Sequence, residues 1–160
     1  MNGEELSLKQ DTKSLLVRLV DETEALTALL ITKQGTVISE AGQTTSLNAT
    51  AMAALVAGMF SATREVARMV GEKQFSILLQ QGETRHIHIS LVTDSAMMVV
   101  VFEDHRRIGK IRFAAKKIGE ELAGVLAEMN GRETAHSDLS VPQFKEYALN
   151  LIDQIFTTSK

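Results

Sequence analysis

The sequence contains no cysteine and no tryptophan, and a single proline interrupts its 160 residues. Without cysteine there is no disulfide, no thiol nucleophile and no cysteine-ligated zinc. There is no run of about 18 apolar residues, so no membrane-spanning helix is expected. There is no excess of positive charge. The formal net charge is −3, which argues against a nucleic-acid partner, because reading a phosphate backbone needs a basic field. The opening MNGEELSLKQDTK is acidic and polar and does not read as a secretion signal. A soluble, cytoplasmic protein is expected. A glycine-rich phosphate loop is also missing: AGQTTS around Gly42 passes from strand to helix but lacks the further glycines and the lysine.

What is present is enough apolar residue for a single core, 44% of the chain. Taken in order, Leu15, Leu16, Leu19 and Val20 fit a first amphipathic helix over about residues 8–23, after a loose start at 1–10. ALLIT and TVISEAG around Lys33-Gln34-Gly35 read as a β-hairpin with a positive-φ glycine. A second β region follows residue 73. FSILLQ (75–80), the alternating RHIHISLV (85–92) and the fully apolar AMMVVVF (96–102) form a meander. The two most apolar strands, Leu29 to Ile31 and 96–102, belong at the centre of the sheet. Residues 108–129 read as a long helix with Ile111, Ala115, Ile118, Leu122, Val125 and Leu126 inward. Its basic residues fall early and its acidic ones late, against the helix dipole, so packing has to hold it.

The expected fold class is α/β, more narrowly α+β. One five-stranded antiparallel sheet carries one helix on one face and two on the other, a three-layer arrangement over 8–129. Residues 130–139 read as a flexible linker. Residues 140–157 read as a tethered amphipathic helix, with Ser140 as N-cap, Pro142 in the first turn, and Phe144, Leu151, Ile155 and Phe156 on one face. That helix either moves freely, packs on its own dimer, or adds a second contact to a partner.

The organising stretch is NATAMAALVAGMFSATREVARMV, from Asn48 to Val70. Thr45, Ser46 or Asn48 can cap its start, and Gly71 stands just past its end. Met52, Leu55, Val56, Met59, Ala62, Val66 and Met69 recur at helical spacing and are assigned to the buried face. Ala54, Ala57, Gly58 and Ser61, followed by Arg64, Glu65 and Arg68, form the other side. A solvated face normally carries long charged residues, and a glycine within a helix costs about 1 kcal/mol relative to alanine. Small residues there let another backbone approach. The helix is either docked to a partner on that side or sandwiched inside its own domain.

Catalytic signals are sparse. His86 and His88, two apart on a strand, share a face and could supply two metal ligands, but the meander offers no obvious acidic third. A polar strand face near solvent or a partner is the preferred reading. No serine–histidine–aspartate elbow is visible, and the methionines at 52, 59, 97 and 98 read as core filler. No catalytic residue, metal or cofactor is assigned, and the protein is not expected to be an enzyme. The outer strand 75–80 is more informative. It has no charge and no proline, which makes it a pairing hazard unless it is used. Two-fold pairing with a second copy through Phe75, Ile77, Leu78 and Leu79 would use it, and would set two copies of the central helix side by side.

Several pieces in this order and spacing, AGQT at Ala41 to Thr44, LVAG at Leu55 to Gly58, VGEKQF at Val70 to Phe75 and VVVFED at Val99 to Asp104, resemble the Roadblock/dynein-light-chain family. The resemblance covers about Leu15 to Met129 and points to the MglB-like branch, whose members partner a Ras-like small GTPase of the MglA type. IDQIF at Ile152 to Phe156 is similar to the short tail of such proteins. The resemblance implies a homodimer with a joined sheet, and paired central helices that bind the GTPase and stimulate GTP hydrolysis in cell polarity or motility. It implies activation without an arginine finger, one GTPase per dimer, and a platform at Ala54, Ala57, Gly58, Ser61, Arg64, Glu65 and Arg68. Ser61, Arg64, Glu65 and Arg68 make half of this face larger and more charged than the smallest-residue platforms. The alternative is a non-activating Roadblock scaffold that binds a partner on the same face.

Overall fold

The computed structural model describes residues 2–45 and 47–136. The candidate cap Ser46, the end of the expected linker and the expected helix at 140–157 lie outside the described residues. The chain divides into one compact unit ending at Leu126 and a second beginning at Ala127.

In the first unit, helix α1 (Gly3–Thr23) leads into strands β1 (Thr27–Thr32) and β2 (Val37–Gly42). Helix α2 (Ala49–Met69) follows, then β3 (Ile77–Gln81), β4 (His86–Thr93) and β5 (Ala96–Phe102), and helix α3 (Ile108–His136), of which the residues up to Leu126 belong to this unit. The sheet order is β2-β1-β5-β4-β3 and all its pairs are antiparallel. The two most apolar strands therefore lie side by side, Leu29 opposite Val99. Every residue of β5 is buried.

The strand alternation sorts side chains to two cores. Leu30, Met98, Val100 and Phe102 pack with Leu16 and Leu19 of α1 and with Ile111, Ala115 and Ile118 of α3. On the opposite face Leu29, Ile31, Ile89, Met97 and Val99 pack with Ala53, Val56 and Phe60 of α2. The result is the three-layer arrangement of two helices, sheet and one helix.

The first helix begins five residues before the expected start. Asn2 caps it, its side chain accepting from the Glu5 N–H at 2.8 Å, and Glu4 and Glu5 favour the positive end of the dipole. The last helix is also longer. It continues through 130–136, which the sequence assigned to a linker. Its start is fixed by Asp104, which caps the 3-10 turn His105–Arg107 through the Arg106 N–H. The hydrogen-bonded Arg106 guanidinium beside it holds the Asp104 carboxyl below the usual carboxylate range.

Candidate functional site

The site is built on α2. Asn48 caps its start, accepting from the Ala51 N–H at 3.1 Å. At its end the Gly71 N–H donates to the Arg68 carbonyl (3.2 Å) and the Glu72 N–H to the Ala67 carbonyl (2.9 Å). This paired closure needs a left-handed residue, and Gly71 supplies it at φ +88°.

The residues that α2 buries are Ala53, Val56, Ala57, Phe60 and Ala67, with Met52 and Met59 partly covered. This corrects the sequence reading in two ways. Ala57, assigned to the outer platform, is 8% exposed and belongs to the core. Its small size serves the protein's own packing. Gly35 of the β1–β2 turn lies against this part of the helix, where a Cβ would sit 2.9 Å from the Ala54 Cα and 3.3 Å from the Ala57 Cβ. Conversely, Leu55, Val66 and Met69, assigned to the core, point outward; Leu55 is 74% and Met69 85% exposed.

The outer surface of α2 thus has two parts. Leu55, Ala62, Val66 and Met69, spaced three, four and seven apart, make an apolar stripe that Val70 extends. It adjoins the flank of Met59, whose sulfur lies 3.7 Å from the Gln80 amide nitrogen of β3, so the stripe looks toward the β3 edge of the sheet. The other part is small and polar: Ala54, Gly58, Ser61, Glu65 and Arg68 are all exposed. Among the described residues a Cβ on Gly58 would meet nothing within 4 Å. Arg68 pairs with Glu65 at 3.1 Å. Arg64 is half-buried and lines a small cleft with Lys33, Phe60 and Ser61.

Among the described residues strand β3 is an outer strand of the sheet and pairs with β4 only, Ile77 opposite Ser90 and Leu78 opposite Ile89. It starts at Ile77, so Phe75 precedes it and is not part of the strand edge. The Leu91 N–H donates to the Ser76 carbonyl at 3.0 Å. Antiparallel alternation then directs the backbone of Ser76 and Leu78 inward to β4, and that of Ile77 and Leu79 outward to the free edge. The side chains of Leu78 and Leu79 pack against opposite cores. Any pairing along this edge is carried by backbone groups and by Ile77, which is 44% exposed.

His86 and His88 do share a face, but both are buried, not wet. His86 packs on Phe102, ring centroids 5.3 Å apart, with His105 at 6.3 Å. His88 is 1% exposed. Among the described residues no group of three or more potential metal-ligating side chains occurs. Burial, and then the charge of Arg112, push the His88 imidazole below its ordinary value of about 6.5. Lys116 and Glu120, also on α3, line the same space. A depressed folded-state value means that the unfolded chain takes up a proton that the folded chain refuses. Stability is therefore full above about pH 6.5 and lost as the pH falls below it. In thermal unfolding scans, His88→Phe should flatten the decline in midpoint just below pH 6.5; an unchanged slope would show that His88 does not cause it.

The layered fold, with an uncharged outer strand beside an exposed helix, coincides with a family match over residues 11–102, to the model described as the Roadblock/LC7 domain. The chain belongs to the Roadblock/LC7 family. Among solved structures, Myxococcus xanthus MglB is 28% identical with a TM-score of 0.74, covering 81% of this chain and 95% of that one. The gliding protein MglB from Thermus thermophilus is 27% identical with a TM-score of 0.72, covering 80% and 95%. A Roadblock/LC7 domain from Streptomyces avermitilis, 18% identical with a TM-score of 0.63, covers 72% and 97% and shares the fold. No curated protein matches the sequence significantly. Within the Roadblock/LC7 match lie α2, β3 and both parts of the candidate face; α3 lies beyond it. No helix among the described residues is long and apolar enough to cross a membrane.

Proposed function

We propose that this Roadblock/LC7 protein is a homodimeric regulator that docks a Ras-like small GTPase of the MglA type and stimulates its GTP hydrolysis, in cell polarity or motility. It has no catalytic site of its own. The observation that carries the reading is the exposed apolar stripe Leu55, Val66 and Met69, set beside an uncharged free edge at β3. Burying a large apolar side chain contributes about 1.5–3 kcal/mol, so a partner covering the stripe gains on the order of 5 kcal/mol before association costs. Two-fold pairing of β3 brings a second α2 against that stripe. The small residues Ala54, Gly58 and Ser61 of both helices are then left as a shared platform for close approach of the GTPase backbone. The likeness to the MglB structures supports the same arrangement.

Activation on such a platform works by repositioning the GTPase's own catalytic groups. An arginine finger, worth about 10³–10⁵ in turnover, has to reach into the nucleotide cleft. Arg68 lies along a helix face paired with Glu65, and Arg64 is folded back beside Lys33. The experiment is GTP turnover by the MglA-type GTPase of the same genome across a titration of this protein. Stimulation that saturates near two copies of this chain per GTPase is expected. Tight binding with unchanged turnover would replace this reading with a non-activating scaffold.

A further inference from the structure

On the sheet face opposite α2, a cleft of about 510 Å³ opens between β4 and α3. His88 and Ser90 form part of its lining, with Arg112 and Lys116 from α3. His88 is 1% and Ser90 8% exposed. Among the described residues neither ring nitrogen of His88 has a hydrogen-bond partner, and neither does the Ser90 hydroxyl. Buried polar groups in folded proteins are almost always paired, and leaving them unpaired is costly. Of these three unpaired atoms on one short strand segment, one ring N–H of the neutral imidazole and the Ser90 hydroxyl can donate, and with two cations flanking the space they mark a place prepared for an acceptor. The rest of the lining is apolar or small, with Leu91, Ala115 and Gly119 among it. Glu120 lies one turn beyond Lys116 and repels an anion at its own end, which places the acidic head of a ligand toward Arg112 and Lys116.

We propose that this cleft binds a small amphiphilic anion: an acidic head that accepts from His88, Ser90 and the two cations, on a short apolar body that lies along Leu91, Ala115 and Gly119. The cleft lies on the sheet face opposite α2 and does not rest on the proposed role of that face; Ser76 and Ile77, at the β3 edge, also line it.

The test uses the full-length protein with histidine side chains labelled with ¹⁵N, titrated with sodium octanoate and separately with inorganic phosphate. Octanoate should shift the His88 ring resonances saturably and more tightly than phosphate, and phosphate should compete with it. Arg112→Ala should weaken octanoate about tenfold. Gly119→Leu, which fills the cleft from the helix side, should abolish the shift. The exposed Lys116→Glu should do the same without touching the core, which covers the case in which Gly119→Leu does not fold. An unmoved His88 signal, a shift that survives both variants, or saturable binding of phosphate but not of octanoate would overturn the proposal.

Discussion

Gly58→Arg is expected to abolish binding of the GTPase while leaving the protein folded and dimeric. Among the described residues the position is open: a Cβ added there meets nothing within 4 Å. The substitution also replaces a poor helix former, so the free protein should gain roughly 0.5–1 kcal/mol. A docked partner has no such room, because an arginine holds its backbone several ångströms off the platform. Loss of at least about 3 kcal/mol of binding, more than a hundredfold in Kd, is expected. Gly58→Ala should bind within a few fold of the unaltered protein. Arg64→Ala and Arg68→Ala should weaken binding modestly and retain most of the stimulation at saturation. An arginine variant that binds fully yet stimulates nothing would establish a finger. Titration calorimetry alongside turnover separates these cases, and undiminished binding by Gly58→Arg would place the docking surface elsewhere.

The second large effect concerns assembly. Val66→Asp should convert the proposed dimer to a monomer without unfolding it. Val66 is 53% exposed in the single chain, so a carboxylate there remains solvated. In a two-fold pair of α2 helices it becomes an unpaired buried charge, which costs about 3–5 kcal/mol. Ile77→Pro tests the other half of the interface. The backbone of Ile77 points to the free edge, so the proline removes an outward donor and leaves the inward ladder to β4 in place. Leu78→Pro breaks that inward ladder and should destabilise the fold itself. Light scattering with thermal unfolding distinguishes the two. A dimer that survives both Val66→Asp and Ile77→Pro would contradict the pairing model.

Much of the fold was legible in the sequence because its signals were local and unmixed. The run AMMVVVF has one environment, and it lies at the sheet centre with all seven residues buried. The hairpin around Gly35 follows from residue chemistry alone, and of the three candidate caps for α2 the structure uses Asn48. The orientation of α2 was not legible, and the reason is physical. That helix carries two apolar stripes, Ala53–Val56–Phe60–Ala67 and Leu55–Ala62–Val66–Met69, with the same spacing. Periodicity finds stripes but does not say which one meets the sheet. Leu55, Val66 and Met69 of the second stripe suit a core equally well, whereas the core takes Phe60 together with Ala53 and Ala57, whose small size lets Gly35 bring the hairpin close. The exposed stripe is therefore the part of the candidate site that the sequence contained but placed inside.

The histidines were misread for a related reason. Alternation in RHIHISLV separates two faces but does not tell whether the polar one is wet. Only the tertiary structure shows that α3 covers His88 and Ser90, and that His86 packs on Phe102 and His105. The start of α1 was missed for want of an apolar pattern in residues 3–10, although Asn2 followed three residues later by Glu5 is a capping arrangement.

The most direct test of the central claim is the single-turnover rate of GTP hydrolysis by the MglA-type GTPase at saturating concentrations of this protein. The account predicts a large increase with the unaltered protein, most of it kept by Arg64→Ala and Arg68→Ala, and none with Gly58→Arg. A rate that saturating, demonstrably bound protein leaves unchanged would contradict it.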